Sequence, residues 1–174
     1  MTSEADRLTL VLVGPMAAGK TSVGRRVARR LRVPFIDTDK RVVAVHGPIP
    51  SIFDEHGEPH FRSLERAEVA AALDGSDGGV ISLGGGAVTD AGTRELLREL
   101  PVVFLTVTPE AVADRIRSGG RPLLAGEDPV GRWTQIFEER RGWYDEVASV
   151  TFDTSRRPMQ RIADDIVTWR RELG

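Results

Sequence analysis

The sequence predicts an α/β domain in which a mainly parallel sheet is covered on both faces by helices. Three observations carry that expectation. Short apolar runs alternate with stretches of helical periodicity along the chain. Several of the helical stretches open on proline at or near the first turn. The first apolar run breaks at a glycine and leads, through a glycine-containing loop, directly into a helical pattern. Alternation of this kind implies right-handed crossovers and places ligands at the carboxyl ends of the strands.

The elements follow in order. Residues 8–13 form a β-type run that stops at Gly14, and from Lys20 the apolar positions Val23, Val27, Ala28 and Leu31 recur at helical spacing. A second strand, 33–36, ends in DTD, and further strands are expected at 80–83, 102–107 and, more weakly, 149–152. Helices are expected at 58–73, 90–99, 109–117, 129–141 and 158–172. At Thr108, Pro109 and Glu110 three start signals coincide: a capping hydroxyl, a proline, and an acid near the positive end of the helix. Residues 118–131, SGGRPLLAGEDPVG, are dense in glycine and proline and read as a lid or as a plain surface loop. No repeat or long linker divides the chain, so residues 1–174 are expected to form one domain.

Composition narrows the function. The 174 residues are 40% hydrophobic and carry a formal net charge of -2, so nothing draws the chain as a whole to nucleic acid or to an anionic membrane. Cysteine is absent, which excludes disulfides, thiol catalysis and cysteine-ligated zinc. The start of the chain is polar, and no apolar run approaches the roughly 20 residues of a membrane span. A cytoplasmic protein acting on small molecules is expected. Nearly all the basic residues are arginine; Lys20 and Lys40 are the only lysines. An arginine therefore earns a role only from its place in a motif, and Lys20 gains weight.

The segment GPMAAGKT at 14–21 satisfies G-x-x-x-x-G-K-[ST] between a strand and a helix, the context in which that motif is a P-loop. Gly14, Pro15, Met16, Ala17, Ala18, Gly19, Lys20, Thr21 and Ser22 define the ATP site, where the loop's backbone N–H groups and the helix N-terminus face the phosphates. Lys20 brings charge to the β and γ oxygens, and the Thr21 hydroxyl suits Mg²⁺. The chain contains no asparagine, hence no N-K-x-D guanine-reading motif, and it is short for a mechanical ATPase. A compact phosphotransferase is the economical reading.

Asp37 and Asp39, two residues apart after the second strand, would point the same way on an extended segment. One carboxylate can hold Mg²⁺ and the other an acceptor hydroxyl; the plainer reading is a turn that caps the next helix. A zinc reading of His56 and His60 fails, because HGEPH is not H-E-x-x-H.

The P-loop, FIDTD, SIFDEHGEPHFRSLE at 51–65, ISLGGGAV at 81–88, RPLL at 121–124 and the R-x-x-x-Y of Arg140 and Tyr144 together closely resemble shikimate kinase, in that family's order. The resemblance implies a three-layer P-loop kinase fold: a five-stranded parallel sheet flanked by helices, a lid at about 118–131 and a small helical substrate-binding segment at about 37–65. It implies transfer of the ATP γ-phosphoryl group to the 3-hydroxyl of shikimate, with Mg²⁺, in aromatic amino-acid biosynthesis, by a monomer. It also implies that Asp39 binds the ring hydroxyls and is the candidate base, while Asp37 helps to hold Mg²⁺. Arg62 and Arg140 would grip the shikimate carboxylate, and a guanidinium fork suits a carboxylate as a lysine does not. Glu65 would orient Arg62, Gly84, Gly85 and Gly86 would bring bare backbone to the acceptor, and Arg121 would stabilise the transferring phosphoryl group. Arg117 and Arg157 match positions that flank adenine.

The chain departs from the family's pattern in three places: Ala17 where glycine is common, a shorter stretch from Arg117 to Arg121, and Gly142-Trp143 in place of a proline-containing pair. Two other readings stay open, a related kinase for an acid such as gluconate and a nucleotide-sensing regulator. Intact Asp37, Asp39 and Arg121 disfavour the regulator.

Overall fold

The computed structural model describes residues 8–75, 78–119 and 126–174. They form a five-stranded sheet in the order β2-β3-β1-β4-β5, built from β1 (Thr9–Val13), β2 (Phe35–Asp37), β3 (Gly79–Ser82), β4 (Val102–Thr106) and β5 (Val150–Asp153). Every pairing is parallel, with Val11 opposite Ile81 on one side and Val102 on the other. Successive strand residues point to opposite faces. In β1 and β3 consecutive side chains are buried, so both faces of the sheet centre are covered. That is why these strands read as continuous apolar runs. The edge strand β5 alternates half-buried and exposed residues instead, which explains its weaker signal.

The helices are α1 (Lys20–Leu31), α2 (Thr38–His46), α3 (Ile49–His56), α4 (Glu58–Leu73), α5 (Ala91–Leu97), α6 (Pro109–Gly119), α7 (Pro129–Val147) and α8 (Met159–Glu172), with a 3-10 turn at Ala87–Thr89. α1 packs on α8, while α4, α5 and α7 form a second group. The start of α6 has the expected cap: the Ala111 N–H donates to the Thr108 hydroxyl at 3.3 Å. α7 extends beyond the expected end at residue 141, because Gly142 lies inside the helix and does not stop it. The expected substrate segment resolves into α2, α3 and the start of α4, separated by Gly47 and Gly57. Asp39 therefore stands in the first turn of a helix rather than on an extended strand end.

Two hydrophobic clusters result. The larger holds the sheet together with α1, α7 and α8. The smaller, Val42, Ile52 and Phe61, joins α2, α3 and the first half of α4. Residues 120–125 of the expected lid, Arg121 among them, lie outside the described residues.

Candidate active site

β1 delivers the chain to Gly14 at the carboxyl edge of the sheet, and the loop then turns into α1. Gly19, which caps α1, has φ 92, and a Cβ there would lie 2.7 Å from the Met159 methyl group. Its place in the motif is thus both conformational and steric. Ala17 has φ 66, a left-handed conformation costing about 1–2 kcal/mol for a non-glycine residue. The chain accommodates this departure, but the backbone there is less free than the motif's open position suggests. Lys20 Nζ donates to the carbonyls of Gly14 at 2.7 Å and Pro15 at 3.0 Å, so the ammonium is folded over the loop's entrance.

β2 ends at Asp37, whose Oδ1 accepts from the Lys40 N–H at 3.2 Å and caps α2. The capping role and a place beside the phosphate site are compatible, since only one carboxylate oxygen is engaged in that bond. Burial raises the pKa of Asp39, and the charge on Asp37 raises it further, against the opposing pull of Lys20 and Arg62. The loop after β3 meets these side chains without Cβ atoms of its own. A Cβ at Gly84 would come within 2.9 Å of the Asp39 carboxyl carbon, and one at Gly86 within 2.7 Å of the Arg62 guanidinium carbon. Without Cβ atoms the loop lets the Asp39 carboxyl and the Arg62 guanidinium lie directly against its backbone.

Arg62 projects from the first turns of α4. Its Nη1 donates to Glu65 Oε1 at 2.8 Å and its Nη2 to Glu58 at 3.3 Å, with the guanidinium over the Phe61 ring. Glu65 is only 1% exposed, and burial drives its pKa up to about 7, with the Arg62 charge and hydrogen bond pulling the other way. The remaining oxygen of Glu65 and the Nε–H of Arg62 are buried without a hydrogen-bond partner among the described residues. Arg140, on α7, acts electrostatically on both Glu65 and Tyr144. Tyr144 is buried, its hydroxyl donates to the Gly85 carbonyl, and burial lifts its pKa to about 12 despite Arg140. One helix thus anchors the glycine loop through Tyr144 and presents Arg140 one turn earlier.

The structure brings together the residues of 14–21, Asp39, Arg62, Glu65, Gly84, Gly85, Gly86 and Arg140. Arg117 is turned outward, 75% exposed and paired with Asp114 at 2.6 Å. Arg157 is half-exposed and paired with Asp165 at 2.5 Å. Sequence reasoning missed three side chains that reach the phosphate loop: Arg115, Trp133 and Thr154. The one available signal was the tyrosine motif, which placed α7 against the site. Among the described residues no three or more His, Cys, Asp or Glu side chains gather as a metal-ligand cluster; His56 and His60 lie with ring centroids 4.7 Å apart.

A parallel sheet with a P-loop at its carboxyl edge, facing a carboxylate and two arginines across a glycine loop, defines an ATP-dependent phosphotransferase for a small anionic acceptor. The family model for shikimate kinase matches residues 16–171. A shikimate kinase from Saccharopolyspora erythraea is 48% identical, with 90% of each chain covered. One from Corynebacterium efficiens is 42% identical over 92% of this chain and 95% of its own. Among solved structures, shikimate kinase from Acinetobacter baumannii in complex with shikimate has a TM-score of 0.86 at 34% identity, covering 95% of this chain and 93% of that one. This chain belongs to the shikimate kinase family.

Proposed function

We propose that the chain transfers the γ-phosphoryl group of ATP to the 3-hydroxyl of shikimate, giving 3-phosphoshikimate and ADP, with Asp39, Arg62 and Arg140 holding the acceptor. The observation that carries the acceptor side is Arg62: a guanidinium clamped by a buried glutamate, with a buried Nε–H that no described residue satisfies. A buried donor without a partner is costly, and an incoming carboxylate would relieve it. Arg140 supplies the second cation. Asp39, raised in pKa by burial and close to Gly84, is suited to accept the hydroxyl proton during transfer.

The oxygen donors Thr21 and Asp37 suit a hard divalent cation, and the repulsion between Asp37 and Asp39 would be eased by one. In this reading Thr21 and Asp37 would hold Mg²⁺, which neutralises charge on the β- and γ-phosphates when bound. Lys20 exchanges the Gly14 and Pro15 carbonyls for phosphate oxygens. Arg121 is assigned to the transferring phosphoryl group by family resemblance, and adenine to the neighbourhood of Arg117 and Arg157, whose ion pairs would open to admit it. No described helix is long and apolar enough to cross a membrane; a cytoplasmic monomer is part of the proposal.

The test is a coupled ADP-release assay of the purified chain with shikimate and with gluconate as acceptors. Shikimate-dependent turnover with little response to gluconate is expected. Preference for gluconate would overturn the acceptor assignment, and turnover with neither would favour a nucleotide sensor.

A further inference from the structure

A loop that binds phosphate with its N–H groups must turn its carbonyls the other way, into the protein. Each such carbonyl then needs a donor. From Gly14 to Gly19 all six have one. Lys20 serves Gly14 and Pro15, the Pro15 carbonyl also accepts from the Ala18 N–H at 3.3 Å within the loop, and the Gly19 carbonyl accepts from the Val23 N–H at 2.9 Å as α1 begins. The three in the middle are served from outside the loop. Trp133 Nε1 donates to Met16 O at 2.7 Å, Arg115 Nη1 to Ala17 O at 2.6 Å, and Thr154 Oγ1 to Ala18 O at 2.7 Å. Those donors come from α7, from α6 and from the residue after β5.

The donors are themselves held. Trp133 is buried and stacks on Phe137 at 5.2 Å between ring centroids. Thr154 is buried, and its N–H donates to Thr106 O at 2.9 Å. Arg115 Nη2 donates to the Thr154 carbonyl at 2.5 Å and Nη1 to its hydroxyl at 3.2 Å, joining two of the three donors. The middle of the brace coincides with Ala17, the loop residue in a left-handed conformation. When Lys20 turns to the phosphates it leaves Gly14 and Pro15, while the three outside donors can stay.

We propose that Trp133, Arg115 and Thr154 are positioning residues for phosphate binding: they hold the carbonyls of Met16, Ala17 and Ala18 inward, away from the phosphates, so that N–H groups of the loop face the phosphates before ATP arrives. Preorganisation of this kind lowers the ordering cost of binding and acts on the nucleotide more than on the acceptor. The inference rests on the reading of 14–21 as the ATP site.

Thr154→Val removes one donor while keeping shape, Thr154→Ser retains it, and Trp133→Phe removes another while keeping an aromatic ring. Calorimetry with MgATP and with shikimate is paired with KM and kcat and with a melting curve for each variant. Thr154→Val and Trp133→Phe are expected to weaken MgATP binding about threefold to tenfold, the scale of one lost hydrogen bond. The ATP KM rises with it, while shikimate affinity and kcat at saturation change less than about twofold. Thr154→Ser restores most of the loss. Folded variants with wild-type MgATP affinity overturn the proposal. Equal losses for both substrates, tracking a lower melting temperature, overturn it too, because they mark a purely structural role. If Thr154→Val does not fold, the Trp133→Phe titration decides alone. A wild-type chain that fails to bind MgATP at all would instead overturn the phosphate-site reading, and the brace with it.

Discussion

At the residue scale, Asp39 and Glu65 show how burial tunes two carboxyls that face the same arginine. Asp39 is pushed toward its neutral form by desolvation and by Asp37, which makes its carboxylate a better proton acceptor than an exposed aspartate. Asp39→Asn keeps the size and removes the charge. Turnover is expected to fall by about 10²–10⁴-fold, with shikimate binding weakened and MgATP affinity nearly unchanged. Steady-state kinetics with calorimetry for each ligand checks this, and loss of MgATP binding with normal shikimate binding would reverse the roles given to Asp37 and Asp39. Glu65 makes a stability prediction. Its pKa rises from 4.5 to about 7 on folding, so between those values the folded chain binds more protons than the unfolded one. The stability contributed by the neutral acid is complete below about pH 4.5 and is lost as pH climbs through 7. Denaturant titrations of the wild type and Glu65→Gln across pH 4.5–8 should show the variant gaining on the wild type as pH rises, by on the order of 1–3 kcal/mol. A constant difference would mean that Glu65 is ionised throughout. Lys20 was legible in the sequence because its motif is contiguous. Arg115, Trp133 and Thr154 were not, because they meet the loop across separations of 98, 117 and 136 residues. An arginine-rich composition further hid Arg115 among its neighbours.

At the element scale, the strands and long helices were legible because burial on both faces or on one stripe writes a clear period into the chain. α2 and α3 were not separated in advance. They are short and flanked by glycine and proline, and Val43 and Val45 of α2 are exposed, which blurs the apolar stripe. α2 begins immediately where β2 ends, so the DTD motif spans a strand end, a cap and a helical turn. The helix expected over 129–141 continues to Val147, because Tyr144 and Val147 are buried on its inner side. A Cβ at Gly142 would meet nothing within 4 Å. Gly142→Ala should therefore stabilise the protein by about 0.5–1 kcal/mol through helix propensity and reduced freedom of the unfolded chain. A chemical denaturation midpoint that falls instead would show that the helix needs flexibility beside Trp143.

At the scale of the whole molecule, strand order places the loops after β1 and β3 side by side, and this adjacency brings Gly14 and Gly84 into one site. The order itself was not written in any local pattern; it follows from packing of helices on both faces of the sheet. The two hydrophobic clusters divide the labour unequally. The sheet and its phosphate loop stand on the large one, while α2, α3 and the start of α4 stand on Val42, Ile52 and Phe61. Fewer buried apolar contacts make local opening easier. Amide hydrogen exchange is expected to be faster by at least tenfold in α2 and α3 than in β1, β3 and β4, read by mass spectrometry on peptic fragments; uniform protection would contradict it. That division reaches further than stability. Asp39 and Arg62 hang from the minor cluster, whereas Lys20 and the nucleotide's cradle hang from the major one. The half of the proposed acceptor site that Asp39 and Arg62 supply can therefore shift apart from the phosphate loop, while Arg140, carried by α7, stays with the sheet.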